Sequence, residues 1–143
     1  MRNVKQDVIK VVTSCETAFL STINSDGFPE TRALNNCLNR KLGDDLNMYL
    51  CSNLESRKIE QIKKNNKTSL YFNTNEMQTM SLCGNIEEVT DKALKDKFWR
   101  DQFAPYYQNG KDDPLYGILK FIPLSYKYYD YSSGIPQEVK GKF

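Results

Sequence analysis

The sequence predicts a mainly β protein with flanking helices, its antiparallel sheet curled into a barrel. Three observations point there. Strand-like runs are joined by hairpin signals, and the helical runs do not alternate strictly with strands as a doubly wound parallel sheet would require. Neither G-x-G-x-x-G nor a Walker motif occurs, so the common nucleotide-binding folds lack their signatures. Finally, 143 residues suit one domain with a real core, and residues 1–143 are read as a single domain.

The elements follow in order. Val4, Val8, Val11 and Val12 recur at helical spacing, which predicts an amphipathic helix over 3–14. The runs AFLSTIN and PETRALNNCL flank SDGF, where Asp26-Gly27 is a hairpin signal because Gly supplies a positive φ. A loop, LGDD, leads into the strand LNMYLCS. Residues 56–66 carry Ile59 and Ile62 on one face, with Ser56 suited to the N-cap of a short helix. TSLYFNT and QTMSLCGNIEEV read as two further strands, and Gly84 in the second marks a bulge or a close backbone approach. TDKALKDKFWRDQF is a helix opened by Thr90 and Asp91, ended by the Pro- and Gly-punctuated loop APYYQNGKDDP. Tyr116 to Tyr131 is strand-like, with Pro123 indicating an edge or a break between two strands. The tail SSGIPQEVKGKF, about 132–143, has little to pack and is expected to be flexible.

Composition removes several functions. Histidine is absent, which excludes Ser-His-Asp and Cys-His hydrolases and the commonest metal ligand. The four cysteines, Cys15, Cys37, Cys51 and Cys83, form no C-x-x-C pair, so reduced thiols and no metal site are expected. A net charge of +2 is too mild to imply a polyanion partner. No apolar run approaches a membrane span, and MRNVKQDVIK is polar rather than a secretory signal; no membrane association and a cytoplasmic location are the expectation. Any redox chemistry then falls to an organic cofactor.

One short stretch carries chemistry. In CSNLESRK, Arg57 and Lys58 stand at a helix start, where the partial positive charge of the helix disfavours cations. An anion would reverse that: the helix offers N–H groups, Ser52 and Ser56 hydroxyls, Arg57 a bidentate fork and Lys58 a point charge. The competing reading is a solvated basic helix continuing through Lys63, Lys64 and Lys67. Arg32 lies within a strand, where a cation facing an apolar interior is costly unless paired. It joins Arg57 and Lys58 where the two strands are neighbours; otherwise it faces solvent.

FLSTINSDGFPETRALNN, MYLCSNLESRKIEQIKKNNKTSLYF and GNIEEV together resemble the pyridoxamine 5′-phosphate oxidase-like superfamily of flavin-binding split barrels, in particular its short general-stress-protein type. The similarity runs from about Phe19 to Tyr128. It implies FMN bound at a homodimer interface. Arg32, Ala33, Leu34 and Asn35 would line the flavin, Cys51 and Ser52 would lie along it, and Arg57 and Lys58 would hold its phosphate. Thr79 falls near a position that contacts the ring from a later strand. The loop APYYQNGKDDP resembles a segment that reaches the partner's site, whereas Trp99 has core packing as its competing role. A flavin phosphate approaches a dianion, so two or three cations and helix N–H groups suit it.

The full-length oxidases carry a Lys five residues after the strand Arg, where this sequence has Cys37, and a C-terminal extension with Arg and His. Pyridoxamine-phosphate oxidation is therefore not expected. The leading expectation is an FMN-dependent oxidoreductase taking NAD(P)H or a small organic substrate. A non-catalytic flavin-binding stress protein would share every site residue. A small barrel binding single-stranded nucleic acid through the Lys-rich helix is the third reading, and the modest charge opposes it, so no nucleic-acid partner is expected.

Overall fold

A computed structural model describes residues 3–143. Helix α1 (Val4–Ser14) is capped by Asn3, whose side chain accepts from Gln6 N, and it buries Val8, Val11 and Val12. Strands β1 (Thr17–Ile23) and β2 (Pro29–Asn35) form the expected hairpin. Gly27 takes φ +85° in its turn, and Asn24 Oδ1 accepts from the backbone of Asp26 and Phe28. After β3 (Met48–Asn53) come α2 (Arg57–Lys64), β4 (Lys67–Asn73), β5 (Gln78–Val89), α3 (Lys92–Phe98), β6 (Tyr116–Asp130) and β7 (Gln137–Lys142).

All pairings are antiparallel, in the order β2-β1-β4-β5-β6-β3, with β7 on β6 as well. The sheet curls into a half-barrel around Leu20, Leu70, Phe72, Leu82 and Phe121, closed by valines of α1 and by Ile59 and Ile62 of α2. No ladder joins its two free ends, β2 and β3, and the 3₁₀ turn after β2, Cys37–Asn39, reaches β3 by a side chain. Asn39 accepts from Tyr49 N at 2.8 Å and donates to Tyr49 O at 2.9 Å, which substitutes for a missing strand partner. By the strand's two-residue period, the backbone of Cys51 faces the same open seam.

Three elements differ from the sequence reading. The helix expected from Thr90 onward stops at Phe98, because Trp99 turns extended (ψ 136°) and sets its ring edge-on to Phe103, Tyr107 and Tyr116; a 3₁₀ turn, Asp101–Tyr106, follows. Pro123 does not divide β6: the ladder shifts register between Cys83 and Gly84, opposite it, and the strand continues. The tail does pack. Residues 137–142 pair with β6 beyond the end of β3, taking the backbone groups that β3 leaves open. No helix among the described residues is long and apolar enough to cross a membrane.

Candidate functional site

β2 and α2 meet at one end of the seam. Arg32 sits opposite Leu20, on the core-facing side of β2, with about a quarter of its side chain exposed. A cation there needs partners. Its Nη1 donates to Thr22 Oγ1 at 2.7 Å and to Leu20 O at 3.3 Å, and its Nη2 donates to Gln61 Oε1 at 3.3 Å. Gln61 Oε1 also accepts from Thr22 Oγ1. Burial pulls the Arg32 pKa down and Glu30 pushes back up, but an arginine remains charged throughout.

Lys58 lies one turn before Gln61, so the same face of α2 brings both towards Arg32. It is half-buried, and desolvation, then the Arg32 charge, lowers its pKa. Its Nζ donates to Ser56 Oγ at 3.1 Å. Ser56 stands at the N-cap with extended backbone but makes no side-chain cap bond, so the first N–H groups of α2 receive no hydroxyl from it. Arg57 is 80% exposed and leans towards Glu30 at 3.5 Å; its charge is felt at Arg32. The three cations are thus gathered, with Arg57 at the solvent edge. A hollow of about 370 Å³ opens beside Arg57, lined also by Asn24, Glu60, Gln61 and Lys64; Arg32 and Lys58 do not line it. A larger one, about 680 Å³, lies near the C-terminal end of α1, lined by Lys10, Cys15, Thr17, Asn73 and Gln78. With one cation, it is the poorer match to a phosphate despite its size.

The other predicted residues divide by strand alternation. Leu34 shares the Arg32 side of β2, whereas Ala33 and Asn35 are exposed on the opposite side; Asn35 Oδ1 accepts from Cys37 N and shapes the turn. On β3, Ser52 is buried and its hydroxyl donates to Asn53 O, while Cys51 points to the other face and packs against the second core, with Sγ 3.6 Å from Tyr107 Oη. Thr79 stands opposite Asn73 and Tyr129, three strands from β2 and on the other face of the sheet from Leu82, the residue level with Arg32. Within one chain it does not join the cluster. The loop 104–114, expected to reach a partner, packs Tyr107 into a second core with Phe103, Tyr116 and Ile118; Tyr106 projects, 76% exposed.

Sequence reading missed Thr22, Glu30 and Gln61. Only Gln61 had a local signal, its three-residue spacing from Lys58.

Burial pushes the Cys51 thiol up to about 11, against the smaller lowering effect of Tyr107, and Tyr107 is itself raised by burial. Both are protonated at neutral pH. Iodoacetamide at about pH 8 is expected to alkylate the exposed Cys83 while leaving Cys51 intact, as peptide mass analysis would read. Labelling of Cys51 as fast as Cys83 would contradict this burial.

Comparison with known proteins now decides the family. The profile described as "Pyridoxamine 5'-phosphate oxidase like" matches residues 3–139. The chain belongs to that family. A search of curated proteins returned no match. Among solved structures, this oxidase-like chain is similar to a Clostridium acetobutylicum protein related to general stress protein 26 of B. subtilis, at 29% identity and TM-score 0.78, covering 97% of this chain and 96% of that one. It is similar in fold to an FMN-binding, pyridoxamine 5'-phosphate oxidase-related protein of Nostoc punctiforme, at 13% identity, TM-score 0.67, and 99% and 95% coverage. A haem-binding protein of Mycobacterium smegmatis shares the fold at 11% identity and TM-score 0.71, covering 97% of this chain and 58% of that one. The oxidase-like family, and with it the split-barrel fold expected from the sequence, is thereby established.

Proposed function

We propose that this chain binds FMN and serves as a flavin-dependent oxidoreductase. The gathering of Arg32, Lys58 and Arg57 at the uncapped start of α2 carries the reading: Lys58 is half-buried with one internal acceptor, Ser56, and lies beside two further cations, which suits an anionic group from outside the chain. In this assignment Lys58 and Arg32 hold the phosphate, Arg57 adds charge from the rim, and Arg32 is itself oriented by Thr22 and Gln61. Leu34 and the residues flanking it, Ala33 and Asn35, with Cys51 and Ser52 across the seam, line the ring. The open backbone edge of β3 at Cys51 offers it hydrogen bonds. Thr79 contributes from a second copy of the chain, since its own sheet carries it away, and the site is completed as a homodimer.

Bound FMN would supply hydride chemistry, with NAD(P)H or a small organic molecule as donor. The chain's part is binding, orientation and exclusion of water. Cys51 and Tyr107 are both held protonated, so neither supplies a base at neutral pH. That observation also favours a second reading, a flavin binder that does not turn over.

Titration of the purified protein with FMN, followed by flavin fluorescence, tests the binding. Stoichiometric quenching supports it, and its absence at micromolar protein rejects it. Anaerobic addition of NADPH or NADH then separates the two readings: bleaching of bound flavin indicates an oxidoreductase, and a flavin that no donor reduces indicates the binder.

A further inference from the structure

Among the described residues, one acid pairs with these cations. Glu30 precedes Arg32 by two residues on the same side of β2, and its side chain is one-third exposed. Its Oε1 accepts from Asn24 Nδ2 at 3.1 Å and lies 3.5 Å from Arg57 Nη2. Its Oε2 accepts from Gln61 Nε2 at 3.1 Å and lies 3.9 Å from Arg32 Nη2. Both oxygens are therefore committed, each shared between an amide and a guanidinium.

We propose that Glu30 is the resident counter-anion of this site, competing with an incoming phosphate monoester for Arg57 and Arg32 and limiting how tightly it is held. The inference rests on the phosphate assignment above and adds to it the residue that sets its strength. Hydrogen bonds from Gln61 and Asn24, then the two arginines, keep the Glu30 pKa below the usual carboxylate range, so it is ionised at neutral pH. With Arg32, Lys58 and Arg57 it leaves a local balance of two positive charges, to which Glu60 and Lys64 on the wall of the adjoining hollow add a cancelling pair, so a phosphate dianion meets no excess charge to hold it. A carboxylate and a phosphate sharing donors repel across a few ångströms, an interaction that salt screens because Glu30 is open to water. Asn24 and Gln61 keep the acid in place when no ligand is present, which preserves the inward pose of Arg32.

The test is Glu30→Gln, which keeps the side-chain shape and removes the charge. Its FMN affinity in low salt is expected to exceed the parent's by about five- to tenfold, and the gain should fall below about twofold in 1 M salt. Thermal unfolding with inorganic phosphate provides a flavin-free readout: phosphate should raise the Tm of Glu30→Gln more than that of the parent. Equal or weaker FMN binding by the folded variant, or a gain that salt does not diminish, overturns the proposal. If neither protein binds FMN yet phosphate still favours the variant, the counter-anion stands and the flavin assignment fails. If neither FMN nor phosphate binds either protein, both fall.

Discussion

Exchanging Arg57 and Lys58 together for Gln and Met should weaken FMN binding about a hundredfold while leaving the fold at least as stable as the parent. A charge-assisted hydrogen bond contributes about 1.5–3 kcal/mol, and one tenfold step in affinity corresponds to about 1.4 kcal/mol. Most of the loss should come from Lys58. Arg57 is 80% exposed and already shares its charge with Glu30, so Arg57→Gln alone should cost only a few-fold. Lys58 is half-buried beside Arg32, where water screens less.

The stability of the same variant discriminates further. Burial lowers the pKa of Lys58 in the folded state, so its charged form costs stability wherever the unfolded chain would also be charged. Lys58→Met removes that cost. Its advantage over the parent should be full at neutral pH and fade as pH rises through the lowered pKa of the folded lysine, where the parent's amine becomes neutral. Urea denaturation at two pH values measures this directly. An FMN affinity within threefold of the parent would place the phosphate elsewhere. A matching loss of stability would make the two cations structural.

Local signals were legible and long-range ones were not. Asp26-Gly27 announced its hairpin because a tight turn needs positive φ, a property of two residues. Gly84 announced a bulge or a close approach, and both are present. Arg57 and Lys58 stood out because cations at a helix start break a local rule. Glu30, Thr22 and Gln61 gave no such notice. Their network spans 39 residues of chain, and nothing in PETRALNN says that Glu30 will share donors with the cation cluster. The same holds for β7, whose sequence offers no apolar face; it forms because β6 outruns β3 and presents open backbone groups. The helix break at Trp99 is likewise a tertiary effect, its ring set edge-on against Tyr116 on a distant strand. Thr79 illustrates the limit of a residue-by-residue resemblance: its strand was read correctly, but where it lies relative to Arg32 depends on a register across three ladders.

Gly84→Ala is expected to cost about 3 kcal/mol or more, or to prevent folding. A Cβ there would overlap Ile122 O, and would stand 2.9 Å from Ile122 C and 2.8 Å from Phe121 Cζ. Overpacking costs about 1–3 kcal/mol when side chains can yield, and more when the obstacle is backbone. Here it is backbone, on the neighbouring strand, at the register shift opposite Pro123. That shift lets β6 hold β3 along its first half and β7 along its second, and α2 follows directly from β3. Forcing β5 and β6 apart therefore moves Cys51, Ser52, Arg57 and Lys58 relative to Arg32, and any folded fraction should bind FMN more weakly. Gly27→Ala is the control. Gly27 also needs its glycine, at φ +85°, but nothing lies within 4 Å of the added carbon, so the cost is limited to about 1–2 kcal/mol of backbone strain. Urea midpoints should rank the parent first, Gly27→Ala second and Gly84→Ala last. A Gly84→Ala midpoint at or above that of Gly27→Ala would mean that β5 and β6 are free to part, and the seam would then lack the rigid wall that the cation cluster depends on.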